Sequence, residues 1–433
     1  MKVAFSTLGC RVNTYETEAL MELFKQEGYQ IVDFGEKADV YVINSCTVTN
    51  MGDKKSRQMV HRAHRLNEDA IIAMVGCYSQ IKPDEVSKIP GINIVLGTRN
   101  KKEIINLINK FKEERKNQVS LKDVIKDKIF EDIRVKNYDN RTRAFIKIQD
   151  GCNNFCSYCL IPYARGASVS KPLAGIIEEV KDLSENGFKE IILSGIDVSS
   201  YGKDLEEDIT LVRVFEVIDK IDGIERIRIG SIGPEFFTDE NIMRLKALKK
   251  LCPHFHISLQ SGCNETLKRM NRHYTAQEYS EAVNKLRENF SDISITTDII
   301  AGFPGETVEE FNETYSFLQN IKLTKTHVFK YSVREGTRAA KLPDMVSASE
   351  KEERSKKLIE LSDKLENEFI NKNLGLSYDV LYEKRLDDGM YDGYTPNYIR
   401  VISDSAADIE DRIIKTKLEK NINLAAKGKI EGI

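Results

Sequence analysis

Gly151-Cys-Asn-Asn-Phe-Cys-Ser-Tyr-Cys-Leu160 is the stretch on which the reading of this chain turns. It sets Cys152, Cys156 and Cys159 in a C-x3-C-x2-C run directly after the apolar segment Ala144-Phe-Ile-Lys-Ile148. Three thiolates can hold a 4Fe-4S cube that needs four ligands, and one iron is then left open to a further ligand. Structural zinc is the alternative. Zinc would want a fourth Cys or His at short spacing, and the residues around the run are apolar or amide.

Outward from this loop, strand-like runs at 144–148, 190–193, 226–229, 254–259, 294–301 and 325–331 alternate with helical stretches. Such alternation implies parallel strands with crossover helices. Six units suit an incomplete barrel, while the count alone leaves a full eight-stranded barrel or an open sheet possible. In barrels of this kind, sites lie at the carboxyl ends of strands. The cysteine loop, Ser194, Gly195, Ser231, Gln260 and Gly302 all fall there. Gly195 and Gly302 would let backbone approach a cofactor, and Ser231 and Gln260 offer hydrogen bonds to its polar parts.

Upstream, Cys10, Cys46 and Cys77 each end a β-branched or apolar run, with spacings of 36 and 31 residues that each fit one strand-helix-strand unit. Between them, 15–27 and 53–66 read as helices. Parallel strands present their carboxyl ends along one edge, so three cysteines remote in sequence can converge there. Cys252 and Cys263 show no such placement and read as buried structural thiols. The sheet is expected to end with the run 91–98. Residues 113–141, dense in charge, read as an exposed linker.

Downstream, Leu358, Leu361, Leu365 and Phe369 mark a helix from about 346 that should pack on the barrel, followed by four or five short strands in the last 60 or so residues. That density of strands fits a small OB-like barrel. Tyr394, Asn397, Tyr398 and Arg400 are candidates to stack on bases or bind phosphates, although aromatics in a small β domain serve as often in its core. Lys54, Arg57, His61 and Arg65 share one helical face just past Cys46, a second candidate contact with an RNA backbone. A solvated surface is the plainer reading of that run.

The chain has 433 residues, 65 Lys and Arg against 68 Asp and Glu, and a net charge of −3, so nucleic acid contact must come from local patches. Its length implies two or three domains. No apolar run is long enough to span a membrane and no signal segment is evident, so a cytoplasmic protein with reduced thiols is expected.

The two three-cysteine sets together resemble the radical S-adenosylmethionine methylthiotransferase family over essentially the whole chain. The resemblance extends to Leu160-Ile-Pro-Tyr-Ala-Arg-Gly166, Leu193-Ser-Gly-Ile-Asp-Val-Ser-Ser-Tyr-Gly202, His256-Ile-Ser-Leu-Gln-Ser-Gly262, Leu267-Lys-Arg-Met-Asn-Arg272 and Asp298-Ile-Ile-Ala-Gly-Phe-Pro-Gly-Glu306. Gly393-Tyr-Thr-Pro-Asn-Tyr-Ile399 is similar to the signature of the RNA-binding TRAM domain. Ser194-Gly-Ile196 departs from the superfamily's usual Gly-Gly-Glu. The resemblance implies an α/β multidomain chain: a parallel α/β domain at 1–112, a charged linker at 113–141, a partial (β/α)6 barrel at 142–345, a connecting helix at 346–373 and a TRAM barrel at 374–433. It implies two 4Fe-4S clusters, one on Cys152, Cys156 and Cys159 and an auxiliary one on Cys10, Cys46 and Cys77. Further implied are S-adenosylmethionine with Tyr158 near its adenine, an electron donor such as flavodoxin or ferredoxin, and a monomer acting on the tRNA anticodon arm. The segments at 194–202 and 256–262 look most like the branch that methylthiolates N6-threonylcarbamoyladenosine by deoxyadenosyl-radical hydrogen abstraction, sulfur insertion and methyl transfer. The alternatives are the isopentenyladenosine branch and a non-catalytic RNA-binding iron-sulfur redox sensor.

Overall fold

Runs rich in Val and Ile build the first sheet of the computed structural model, which describes residues 1–47, 50–136, 138, 142–206 and 209–431. β1 (Lys2–Thr7), β2 (Gln30–Val32), β3 (Val40–Ser45), β4 (Ile71–Gly76), β5 (Ile94–Leu96) and β6 (Gln118–Ser120) pair in parallel in the order β2-β1-β3-β4-β5-β6. Every residue of β3 and β4 is buried, as strands covered on both faces require. Helices α1 (Arg11–Gln26) and α2 (Asn50–Leu66) supply cover, with Val12, Ala19, Leu20 and Phe24 of α1 turned inward. Thr7 lies level with Asn44 and Ser45 with Gly76, so the carboxyl ends of β1, β3 and β4 stand side by side.

Two expectations need correction. The run 91–98 does not end the sheet, because β6 pairs beyond β5. Nor is 113–141, though mostly exposed, a plain linker: β6 lies inside it, Val124, Val135 and Tyr138 are buried, and the last two belong to the core of the next domain. Val124, Val135 and Tyr138 are buried singly among charged and exposed residues, without a periodic stripe to announce them. The expected end of that segment, Arg141, lies outside the described residues.

The second domain contains β7 (Arg143–Lys147), β8 (Gln149–Asp150), β9 (Val169–Ser170), β10 (Glu190–Ser194), β11 (Arg226–Ile229), β12 (Ser231–Ile232), β13 (His254–Ile257), β14 (Ser294–Ala301) and β15 (Lys325–Lys330). β7-β10-β11 and β12-β13-β14-β15 are parallel sheets, and only Gly230 separates β11 from β12. They form one six-unit arc, and among the described residues no pairing joins β7 to β15. The helix Ala348–Lys372 starts at a reciprocal Ser347/Glu350 capping box and lies on β15, with Leu358, Leu361 and Leu365 in the barrel core.

β16 (Ser377–Arg385), β17 (Tyr391–Tyr394), β18 (Arg400–Ser403), β19 (Ile413–Ile422) and β20 (Ala425–Ile430) then close into a small barrel. This barrel sits on the amino ends of the larger barrel's strands. Arg143 pairs with Glu383 at 2.8 Å, Arg226 donates to the Tyr394 carbonyl at 3.0 Å, and Arg228 donates to the carbonyls of Thr395 and Pro396 at 2.9 and 2.7 Å. Buried Glu190 offsets the charge of these arginines, with Arg228 Nε at 2.7 Å.

Candidate active site

The cysteine loop after β8 is held from outside itself. Phe155 adopts a left-handed conformation (φ 46°), and Asn271 Nδ2 donates to its carbonyl at 3.1 Å. Ser157 N and Oγ donate to the carbonyls of Met270 and Arg269 at 2.9 and 2.8 Å. The N–H groups of Asn154 and Ile161 point at the sulfurs of Cys152 and Cys159 (3.5 and 3.4 Å), and Arg272 Nη1 lies 3.2 Å from Cys156 Sγ. Donors aimed at sulfur favour thiolate, so this donor set suits an anionic iron-sulfur group. The segment 267–272 thus acquires a physical role that its sequence alone did not disclose.

Cys10, Cys46 and Cys77 converge as the strand topology required. Cys10 caps α1, Cys46 follows β3, and Cys77 opens the short helix α3 (Cys77–Ile81). A Cβ on Gly9, whose φ is +105°, would lie 2.7 Å from Cys46 Sγ, so glycine is needed for the close approach of the first two. Burial pushes the thiols of Cys77, Cys152 and Cys159 up to about 12; Cys10 and Cys46 contribute to the rise at Cys77, and Cys77 to that at Cys159. Loading a metal group there must therefore release protons. Among the described residues, no three His, Cys, Asp or Glu side chains close to single-ion spacing. Cys252 and Cys263 are buried free thiols, as expected.

The seam between the two sets is built on Arg165, which is fully buried and was missed as a functional residue although its motif stands out in the sequence. Its guanidinium contacts Glu16 of α1 at 2.9 Å, Asp150 at 2.9 Å and Asn13 Oδ1 at 2.6 Å. Lys147 and Lys101 also reach Glu16, at 2.8 and 3.1 Å. These cations hold the carboxyls of Glu16 and Asp150 below the usual range against the desolvation that burial imposes. Thr98 Oγ1 donates to the Ala164 carbonyl at 2.7 Å, and Arg334 pairs with Asp53 at 2.8 Å, locking the first domain onto the barrel.

Beneath the cysteine loop, Tyr158, Gln260, Asp298, Ile300 and Tyr331 line a cavity of about 230 Å³. Gln260 is held there in a left-handed conformation (φ 73°), and Tyr331 Oη has no hydrogen-bond partner among the described residues. Backbone strain of this kind gathers at functional sites. Ser194 and Gly195 stand at the end of β10; the Ser194 hydroxyl is buried without a partner among the described residues, and Gly195 packs tightly against Gln149. Ser231 is exposed and outside the cavity lining. Gly302 is not in the lining either: it turns with φ 71°, its N–H donates to Glu306 at 2.9 Å, and the Lys351 stem covers it.

A larger cavity of about 540 Å³ lies below, where all three domains meet. Arg11, His254, His256, His327, Lys384 and Arg400 contribute to its wall. It adjoins the upper cavity through His256 Nε2 and Asp298 Oδ2, 3.4 Å apart. Desolvation holds His254 well below the ordinary histidine pKa, with the Arg228 charge acting in the same sense.

The candidate RNA contacts divide. Lys54 and Arg65 are exposed on α2, but Arg57 is tied to Tyr78 at 2.7 Å and Glu85 at 3.2 Å. Asn397 is buried and donates to the Asp292 carbonyl at 3.1 Å, so it seals the domain contact. Tyr398 stacks between His254 (4.5 Å) and Tyr394 (4.9 Å), and Arg400 pairs with Asp392 at 2.9 Å. Their first partners are the protein's own groups, because the terminal barrel uses this segment to close the larger one.

The Radical SAM superfamily matches residues 146–318, and the uncharacterized protein family UPF0004 matches residues 2–97. A threonylcarbamoyladenosine tRNA methylthiotransferase, MtaB, of Bacillus subtilis is 43% identical over 96% of this chain and 94% of its own. The MtaB of Aquifex aeolicus is 42% identical over 93% of this chain and 96% of its own. A tRNA-2-methylthio-N(6)-dimethylallyladenosine synthase of Thermoanaerobacter sp. is 40% identical over 87% of this chain and 81% of its own. Among solved structures, the radical S-adenosylmethionine methyltransferase TsrM of Kitasatospora setae has a similar fold, with a TM-score of 0.57 at 15% identity over 76% of this chain and 74% of that one.

Proposed function

We propose that this chain, which belongs to the radical SAM methylthiotransferase family, places a methylthio group on C2 of N6-threonylcarbamoyladenosine beside the tRNA anticodon. The observation that carries the reading is the pair of three-cysteine sets drawn to one seam, with Cys77 close enough to act on the Cys159 thiol. Cys152, Cys156 and Cys159 would hold one 4Fe-4S cluster, and Cys10, Cys46 and Cys77 a second. With S-adenosylmethionine these groups supply hydrogen abstraction from an aromatic carbon and the sulfur and methyl of the product, which no side chain can supply at neutral pH.

The protein's own part is to bind, orient and enclose. Tyr158, Gln260 and Tyr331 offer an aromatic face and polar atoms for S-adenosylmethionine, and the unpartnered Ser194 hydroxyl offers another. Lys54 and Arg65 are free to meet RNA phosphates. Among the described residues no helix is long and apolar enough to cross a membrane. A cytoplasmic monomer reduced by a flavodoxin or ferredoxin completes the proposal.

Mass spectrometry of tRNA nucleosides from a deletion strain tests it. Loss of the methylthio derivative of threonylcarbamoyladenosine, with its precursor accumulating, is the expected result. Loss of the methylthio isopentenyl nucleoside would redirect the reading to the other branch. Unchanged nucleosides, with no deoxyadenosine formed by the reconstituted protein, would favour the redox-sensor alternative.

A further inference from the structure

The larger cavity carries an imbalance of charge. Lys325 is matched by Glu366 at 3.0 Å, and Arg400 by Asp392 at 2.9 Å. Arg11 and Lys384 have no carboxylate partner among the described residues, although both line the cavity. Arg11 leaves α1 beside Cys10 and extends over the Phe145 ring of β7, 6.0 Å from its centroid. Lys384 comes from β16 of the terminal barrel. Two cations from two domains thus converge on the lumen of a third.

Two further features point to a ligand. Among the described residues His254 Nδ1 is buried without a hydrogen-bond partner, and His256 Nε2 faces Asp298 Oδ2 at 3.4 Å without a well-formed hydrogen bond; both rings belong to the cavity wall. A buried polar atom left unsatisfied costs stability unless something fills the site. The volume, about 540 Å³, falls within the roughly 300–1,000 Å³ of small-molecule sites. It is open to solvent at the three-domain junction and adjoins the upper cavity at Asp298, so a nucleoside entering here would approach the cysteine loop from below.

We infer that this cavity binds the N6 substituent of the reacting adenosine through an amino acid carboxylate, held by Arg11 and Lys384. The inference rests on the proposed function and deepens it, because it assigns the discrimination between a charged and a neutral N6 substituent to two named cations. A guanidinium can take a carboxylate through paired N–H groups, and Lys384 adds a point charge. A neutral isopentenyl group would leave both cations and His254 Nδ1 without partners, which is how a polar pocket rejects an apolar analogue.

The test uses the anaerobically reconstituted full chain and three anticodon-arm RNAs of one sequence. Their reactive adenosine carries N6-threonylcarbamoyl, its neutral carboxamide analogue, or isopentenyl. Wild-type protein should bind the carboxylate RNA about tenfold more tightly than the carboxamide. Arg11→Met and Lys384→Met should each remove most of that preference while binding the carboxamide RNA as before. Arg11→Lys should restore part of it. Because Arg11 adjoins a proposed cluster ligand, iron content is measured for every variant, and Lys384→Met, remote from the cysteines, gives an independent reading. Equal weakening on the carboxylate and carboxamide RNAs would mean that the cations bind backbone phosphate, and would overturn the inference. So would an undiminished preference in both variants. Formation of the methylthio product on the carboxylate RNA by wild-type protein is followed in parallel: its presence with either overturning result sinks the subsite alone, whereas no product on any RNA sinks the functional reading beneath it.

Discussion

Cys152, Cys156 and Cys159 share one loop clamped by Asn271 and Arg272, whereas Cys10, Cys46 and Cys77 are delivered by the ends of three parallel strands. The loop set owes its form to contacts within the barrel, from Arg269, Met270 and Asn271. The strand set owes its form to the whole amino-terminal sheet. A local set can load without its neighbour, while a set assembled by a sheet stands or falls with that sheet. The two meet at a seam built on the buried ion network around Arg165, where Cys77 comes close enough to act on the Cys159 thiol.

Replacing Cys152, Cys156 and Cys159 with Ala should have the largest effect. Deoxyadenosine release on reduction should fall to background, and the iron content of reconstituted protein should drop to about half. Intact iron content in that variant would break the division into two sets.

The complementary change, Cys10, Cys46 and Cys77 to Ala, should leave deoxyadenosine release measurable and abolish the methylthio product on the same RNA. The two quantities are read from one reaction by mass spectrometry. Loss of both signals would instead show that the seam loads its clusters as one unit. Deleting the chain after Asn373 is a poor way to sharpen the same division, because it uncovers Glu190 and Arg228, which are buried under the terminal barrel.

Arg165→Leu should destabilise the protein by about 3–5 kcal/mol, since it leaves buried Glu16 and Asp150 short of a partner they share. Denaturant unfolding of the apoprotein measures this without any cluster. A loss below about 1 kcal/mol, the size of a surface pair, would show that Lys147 and Lys101 suffice at the seam.

His254 should contribute the smallest effect. Its folded pKa lies below the ordinary value, so the unfolded chain binds more protons as pH falls. Its contribution is complete above about pH 6.5 and declines toward the folded pKa by up to ~1.4 kcal/mol per pH unit. Replacing His254 with Gln should flatten the stability profile between pH 6.5 and 5. An unchanged slope would assign the acid sensitivity elsewhere.

Much of the site was readable where chemistry and spacing are local. The C-x3-C-x2-C loop, the six strand runs and the helix along β15 all appear where the residue pattern placed them. The segments 160–166 and 267–272 stood out as motifs, but the roles of Arg165 and Arg272 did not. Both act on residues remote in sequence, Glu16 and Cys156, and no periodicity reports such a contact. Asn397 and Arg57 show the same limit: a polar side chain in a basic or aromatic segment offers a contact, but only tertiary packing shows that each already meets a protein group.

By itself, then, the sequence determined the strands, the thiols and the edge on which they had to lie, because a parallel sheet sends every carboxyl end the same way. Only the tertiary structure decided that the two edges face one another across Arg165, and that the terminal barrel closes the floor of the larger one with Arg143, Arg226 and Arg228. It also decided that Arg11 and Lys384 meet in one cavity. Those outcomes depend on how domains dock, and docking is set by buried charge and shape between residues hundreds of positions apart, which local pattern does not encode.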